Sequence, residues 1–189
     1  MLTLQYQVNY LSQHYLTKLL LQQLIESEGK SNIVTVASPL YKIAKDEKIL
    51  HEQWNDETKY QIAHAYGYSK LALMMDSYQL NKNLIEQNLT DQVSVNCVNP
   101  GGVDSKIFRN LGTRADWFLN ILKMVGQMKD ADTAADYVIN ICQETKTGGY
   151  YDEWTRRELD AVIPKYNLAR ANELWSQAEL ATKAHATNK

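Results

Sequence analysis

Two short runs do most to limit what this chain can fold into. Residues 32–38 (NIVTVAS) and 93–99 (VSVNCVN) are β-branched and mostly apolar, and a proline, Pro39 or Pro100, follows each. Such runs predict strands buried on both faces, in a sheet that helices cover from both sides. Proline ends them because it has no N–H to give to a ladder.

Helical periods lie around and between these strands. From about Leu4 to Glu26 the apolar residues Val8, Leu11, Tyr15, Leu19, Leu20 and Leu24 fall at three-and-four spacing, and Gly29 supplies a stop. Residues 40–63 are polar, charge-rich and aperiodic, which predicts a surface excursion. A second helix is expected to open at about Tyr66 and run to Asn88, with Leu71, Met74, Met75, Tyr78, Leu84 and Ile85 apolar. The region from Val103 to Lys129 reads as a loop that carries an apolar patch, Trp117 to Leu122. After it come a helix capped by Asp130 or Asp132, a short strand beginning at Gly148-Gly149-Tyr150-Tyr151, and a last helix over about Leu168 to Ala184.

This alternation predicts an α/β fold, a partial doubly wound (Rossmann-like) parallel sheet with helices on both faces. There is no repeat or low-complexity linker, so residues 1–189 read as a single domain.

Charge and composition narrow the function classes. A net charge of −2 and a sequence pI near 6.1 give no basic field for nucleic acid or anionic lipid. The most apolar run, Leu16 to Ile25, is broken by Lys18, Gln22 and Gln23 and falls short of the ~20 residues a membrane span needs. No signal peptide is visible, so a cytoplasmic protein with no transmembrane segment is expected. Cys97 and Cys142 lack CxxC spacing and read as reduced core thiols. The four histidines are scattered, and no metal site is expected.

Against that background, AYGYSK sets Tyr66 four residues before Lys70 on one predicted helix. Spacing of four puts the ammonium on the tyrosine's face, where it would stabilise a phenolate. The spacing is weak alone: 12 tyrosines and 15 lysines in 189 residues give about one such match by chance, and Tyr41 with Lys45 repeats it. Position separates Tyr66 from Tyr41. Ligands of such sheets sit at the carboxyl ends of strands, where Ser38 and the Asn99-Pro100-Gly101 turn fall, and Tyr66 heads the helix between those strands.

Five segments, in order, resemble the short-chain dehydrogenases/reductases, and within them the retinol-dehydrogenase-like branch: QVNYLSQHYLTKLLL around Asn9, NIVTVAS ending in Ser38, AYGYSKLA, VSVNCVNPGGVDS, and the tail NLARANELWSQAELA. The family's glycine-rich TGxxxGxG turn and NAG-type motif have no counterpart here, so the sequence looks like the family's carboxyl-terminal half or somewhat more.

The resemblance implies an NAD- or NADP-dependent interconversion of an alcohol and a carbonyl, with Asn9, Ser38, Tyr66 and Lys70 as the catalytic set. Tyr66 would be general acid/base. Ser38 would donate a hydrogen bond to the substrate oxygen, and Asn9 would position a water linking Lys70 to solvent. Tyr66 and Lys70 would also meet the cofactor, Lys70 at the nicotinamide ribose, with Pro100, Gly101, Val103 and Ser105 flanking the nicotinamide. The Trp117 to Leu122 patch reads either as a lid over a small lipophilic substrate or as a core helix. The first two helices match those the family uses for subunit contacts, which implies a homodimer. Each site residue also has an ordinary structural reading, as cap, helix-start aromatic or surface side chain, and the alternative for the whole chain is an inactive remnant that acts by association.

Overall fold

The computed structural model describes residues 4–44, 62–103 and 128–186. A short helical turn, α1 (Leu4–Tyr6), passes through a π-helical stretch, Gln7–Leu11, into α2 (Ser12–Glu26). There follow β1 (Ser31–Val36), a 3-10 turn at Pro39–Ile43, and the long helix α3 (Ile62–Glu86). Next come β2 (Val93–Asn99), two short strands β3 (Gly102–Val103) and β4 (Met128–Lys129), and α4 (Ala131–Ile141). The hairpin β5 (Gly149–Asp152) and β6 (Thr155–Glu158), a single turn α5 (Leu159–Val162) and α6 (Lys165–Ala186) complete the order.

The main sheet runs β1-β2-β5-β6. β1 pairs with β2 in parallel, Ser31 opposite Val93 through Val36 opposite Val98, and β2 pairs with β5 in parallel, Cys97 opposite Tyr150. β6 is antiparallel to β5, so the expected parallel sheet is a mixed one. Helices lie on both faces, as expected. Every residue of β2 is buried, and its side chains alternate: Val93, Val95 and Cys97 face α3 and α6, while Val98 packs with Ile141 of α4.

β1 differs from its prediction. Among the described residues it is an edge strand of the sheet, half-buried along most of its length, and Val36 is 41% exposed. An apolar composition predicts burial, but a strand with a neighbour on one side only keeps an open flank.

The α2 face is a second correction. Tyr6, Tyr10 and His14 are the buried residues, whereas Val8, Leu19 and Leu20 are exposed, Leu19 at 58%. At 3.6 residues per turn, steps of four drift around an α-helix by about 40° each. The wider π-helical turn takes up that drift and keeps Tyr6, Tyr10 and His14 on one line.

Three smaller predictions also shift. α3 begins at Ile62, so Tyr66 sits in its second turn and does not open it. Cys97 is buried, but Cys142 follows the end of α4 and is exposed. The predicted loop from Val103 to Lys129 is bounded by a two-stranded parallel pairing of β3 with β4. Asp130 does cap α4, its carboxylate accepting from the Thr133 N–H at 2.8 Å. Ser105 and the Trp117 to Leu122 patch lie outside the described residues. Among the described residues no helix is long and apolar enough to cross a membrane, and no group of three or more His, Cys, Asp or Glu could hold a metal ion.

Candidate active site

The parallel pairing brings the ends of β1 and β2 side by side, with the Ala37 N–H donating to the Val98 carbonyl at 2.8 Å. Ser38 stands just past β1 in extended backbone (φ −154°) and caps the 3-10 turn, its Oγ accepting from the Leu40 N–H at 3.3 Å. That turn is pressed against α3 where the helix carries Gly67. A Cβ on Gly67 would lie 2.5 Å from the Leu40 carbonyl oxygen, so only glycine allows this approach.

The close approach sets Tyr66 beside Ser38. Burial raises the Tyr66 pKa above its ordinary value, and the neighbouring Ser38 hydroxyl opposes that by favouring the phenolate. Lys70, one turn along, places Nζ 5.7 Å from the centroid of the Tyr66 ring and donates to the Val36 carbonyl at 2.8 Å. Burial lowers the Lys70 pKa. The sequence reading has Lys70 lowering the Tyr66 pKa. In the structure the direction is upward, because burial dominates.

Asn9 lies in the π-helical stretch and reaches α3, its Nδ2 donating to Ser69 Oγ at 3.1 Å. Ser69 in turn donates to the Tyr66 carbonyl at 2.8 Å. The four residues Asn9, Ser38, Tyr66 and Lys70 are thus linked through α3.

On the neighbouring strand end, Asn99 holds the Pro100-Gly101 turn: Oδ1 accepts from the Gly101 N–H at 3.2 Å, and Nδ2 donates to Asp152 at 2.7 Å. Gly101 has φ +85°, and Val103 lies in β3. Pro100, Gly101 and Val103 therefore follow the carboxyl end of β2 as expected.

Sequence reasoning missed Gly67 and Ser69. The available signal for Gly67 was its cost, since glycine inside a helix is about 1 kcal/mol worse than alanine and calls for a packing reason.

As a donor set, a half-buried ammonium with a phenol and a hydroxyl beside it suits ribose hydroxyls and a carbonyl or alcohol oxygen. No glycine-rich strand-to-helix turn occurs in the sequence, so the fit is to the ribose and nicotinamide end of a dinucleotide.

No protein-family model matches the chain. It is 30% identical over 183 residues to retinol dehydrogenase 14 of Mus musculus, covering 94% of this chain and 52% of that protein. To polyprenol dehydrogenase of Danio rerio it is 30% identical over 182 residues, 93% of this chain and 54% of the relative. The chloroplastic short-chain dehydrogenase TIC 32 A of Brassica napus is 31% identical over 112 residues, 57% of this chain and 34% of that protein. The chain thus spans about half the length of the longer-matching curated relatives. A crystal structure of an uncharacterized protein from Mycobacterium Paratuberculosis superposes with a TM-score of 0.58 at 20% identity, over 93% of this chain and 57% of that one, a likeness of fold.

Proposed function

The chain belongs to the short-chain dehydrogenase/reductase family, in its retinol-dehydrogenase-like branch, and we propose that it forms the catalytic half of an oxidoreductase interconverting an alcohol and a carbonyl. The observation that carries this reading is the Lys70 ammonium against the Tyr66 ring, with Ser38 beside it, at the carboxyl ends of two adjacent parallel strands. NAD or NADP, when bound, supplies or accepts the hydride.

The chain's own residues handle the oxygen. Ser38 donates a hydrogen bond to the substrate oxygen and holds it within reach of Tyr66. Tyr66 gives its proton to that oxygen in reduction and takes it back in oxidation. Lys70 and Tyr66 would hold the cofactor's ribose, and the Pro100, Gly101 and Val103 turn would flank its nicotinamide. Substrates are small lipophilic alcohols or carbonyls, a class suggested by the relatives named for retinol and polyprenol.

Titration of NADH and NADPH into the 189-residue chain, read by cofactor fluorescence and followed by a carbonyl-substrate screen, tests this. Saturable binding is expected, weakened about tenfold or more by Lys70→Ala, the loss of a charged hydrogen bond. Tyr66→Phe should leave binding intact and lower turnover at least about a hundredfold. Unchanged turnover in Tyr66→Phe, or no binding at millimolar cofactor, overturns the reading.

A second reading rests on a different observation. Among the described residues β1 is an edge strand and Leu4, Val8, Leu16 and Leu19 are exposed, which gives the chain apolar surface suited to association, with itself or with a partner chain. On that reading the residues of the site are retained without turnover.

A further inference from the structure

Near the carboxyl end of the sheet, one buried hydroxyl has nothing to bond. Tyr150 stands on β5 opposite Cys97 of β2, and it is 1% exposed. It belongs to the core between the sheet, α3 and α6. Among the described residues no group hydrogen-bonds its phenol oxygen. An unpaired O–H in such a place destabilises a fold, whereas phenylalanine fills nearly the same space without that cost. The hydroxyl therefore calls for a partner from outside the chain.

Its surroundings connect it to the candidate site. Tyr41 meets the Tyr150 ring edge-on, with centroids 6.0 Å apart. Tyr41 lies in the 3-10 turn that Ser38 caps, its N–H donating to the Ser38 carbonyl at 3.1 Å. That turn is the one pressed on α3 beside Tyr66. One aromatic ring thus stands between Tyr150 and the turn that carries Ser38. Two opposite charges act on the Tyr150 oxygen: Asp152 at the end of β5, and Arg157, which faces Tyr150 across the β5–β6 ladder. They offset each other, so the place has little net field to draw an ion. Burial raises the Tyr150 pKa, and the phenol keeps its proton at neutral pH. A lone O–H donor in nearly neutral surroundings suits a neutral oxygen, of a hydroxyl or a carbonyl.

We propose that Tyr150 is a substrate-binding residue, whose hydroxyl donates to a second, neutral oxygen of the substrate, further along the molecule than the oxygen that Ser38 and Tyr66 handle. The substrate class is then diols, hydroxy ketones and diketones on an apolar skeleton, in place of hydrocarbons with a single oxygen. The unpaired hydroxyl stands on the structure alone; its role toward a substrate rests on the function proposed above.

Tyr150→Phe removes the hydroxyl and keeps the ring against Tyr41. Its urea midpoint is expected to rise, because the fold loses an unpaired polar group. A lower midpoint would mean that the hydroxyl is already bonded within the fold, as by a buried water, and overturns the proposal. Binding of straight-chain mono-alcohols and of α,ω-diols of the same length is then followed by saturation-transfer NMR, with and without NAD or NADP. At the chain length that spans both oxygens, the diol should bind the wild-type chain about fivefold tighter than the mono-alcohol, the worth of one hydrogen bond. Tyr150→Phe should bind the two alike. A diol preference that is absent at every length, or that survives in Tyr150→Phe, overturns the subsite, and so does a failure of both to bind. If the preference is present but the chain neither binds cofactor nor turns over, the oxidoreductase reading fails while the subsite stands.

Discussion

Gly67 shows how one residue governs the geometry of the site. Helix propensity alone says that alanine at this position, in the second turn of α3, gains about 1 kcal/mol. Packing says the reverse, because the new Cβ would sit 2.5 Å from the Leu40 carbonyl oxygen and 3.0 Å from Ile43 Cγ1. Backbone cannot yield as a side-chain tip does, so Gly67→Ala is expected to destabilise by about 1–3 kcal/mol and to part Ser38 from Tyr66. A higher denaturation midpoint in that variant would show that the 3-10 turn gives way. The cysteines make a second test at this scale. Burial pushes the Cys97 thiol up to about 12, while Cys142 is exposed. A maleimide at pH 8 should label one thiol per native chain, at Cys142, and two in denaturant. Rapid labelling of both would contradict the burial of β2.

At the scale of elements, α2 is held by polar groups more than by its leucines. His14, 1% exposed, sets Nδ1 2.8 Å from the Asp76 carboxylate on α3 and Nε2 3.4 Å from Glu179 on α6, which Lys18 also meets. The Tyr10 hydroxyl lies 3.3 Å from Asp76, and Trp175 stands edge-on to His14 at 4.7 Å. Burial raises the Asp76 pKa, and the bonds from His14 and Tyr10 oppose the rise. His14→Ala is expected to cost on the order of 3 kcal/mol, because it strands a buried carboxylate. An acid whose folded pKa is raised binds its proton more tightly in the fold, so its contribution is present at low pH and lost as pH rises. The deficit of His14→Ala should therefore grow between pH 4 and pH 7 in urea titrations; a deficit constant over that window would mean Asp76 does not carry it. Because the π-helical stretch that leads into α2 bears Asn9 and α3 bears Tyr66 and Lys70, this cluster also sets the spacing of the two helices that build the site.

Among the described residues the sheet of the whole molecule ends in two edge strands, β1 and β6. β6 is short and largely exposed, whereas β1 is longer and half-buried, with no described neighbour beyond it. Leucines of α2 are also exposed, Leu16 at 50% and Leu19 at 58%. If this apolar surface drives association, sedimentation velocity at tens of micromolar will show oligomers that Leu16→Glu with Leu19→Glu returns to monomer. A monomeric wild-type chain would remove the association reading. The test bears on catalysis too, since the chain spans about half the length of relatives such as retinol dehydrogenase 14, and a site of this kind takes part of its cofactor contact from elsewhere in the fold.

The order of strands and helices, the proline-ended β-branched runs and the AYGYSK spacing were readable in the sequence, because each is a local signal set by backbone chemistry and side-chain period. They were enough to indicate the α/β fold and to mark Ser38, Tyr66 and Lys70. Which face of α2 is buried was not readable, because a π-helical turn breaks the period on which such a reading depends. The edge position of β1, the antiparallel β6, the exposure of Cys142 and the upward direction of the Tyr66 pKa were equally out of reach. Each is decided by what packs against a residue from elsewhere in the chain, and only the tertiary structure brings Leu40 to Gly67, Val36 to Lys70 and Ser69 to Asn9.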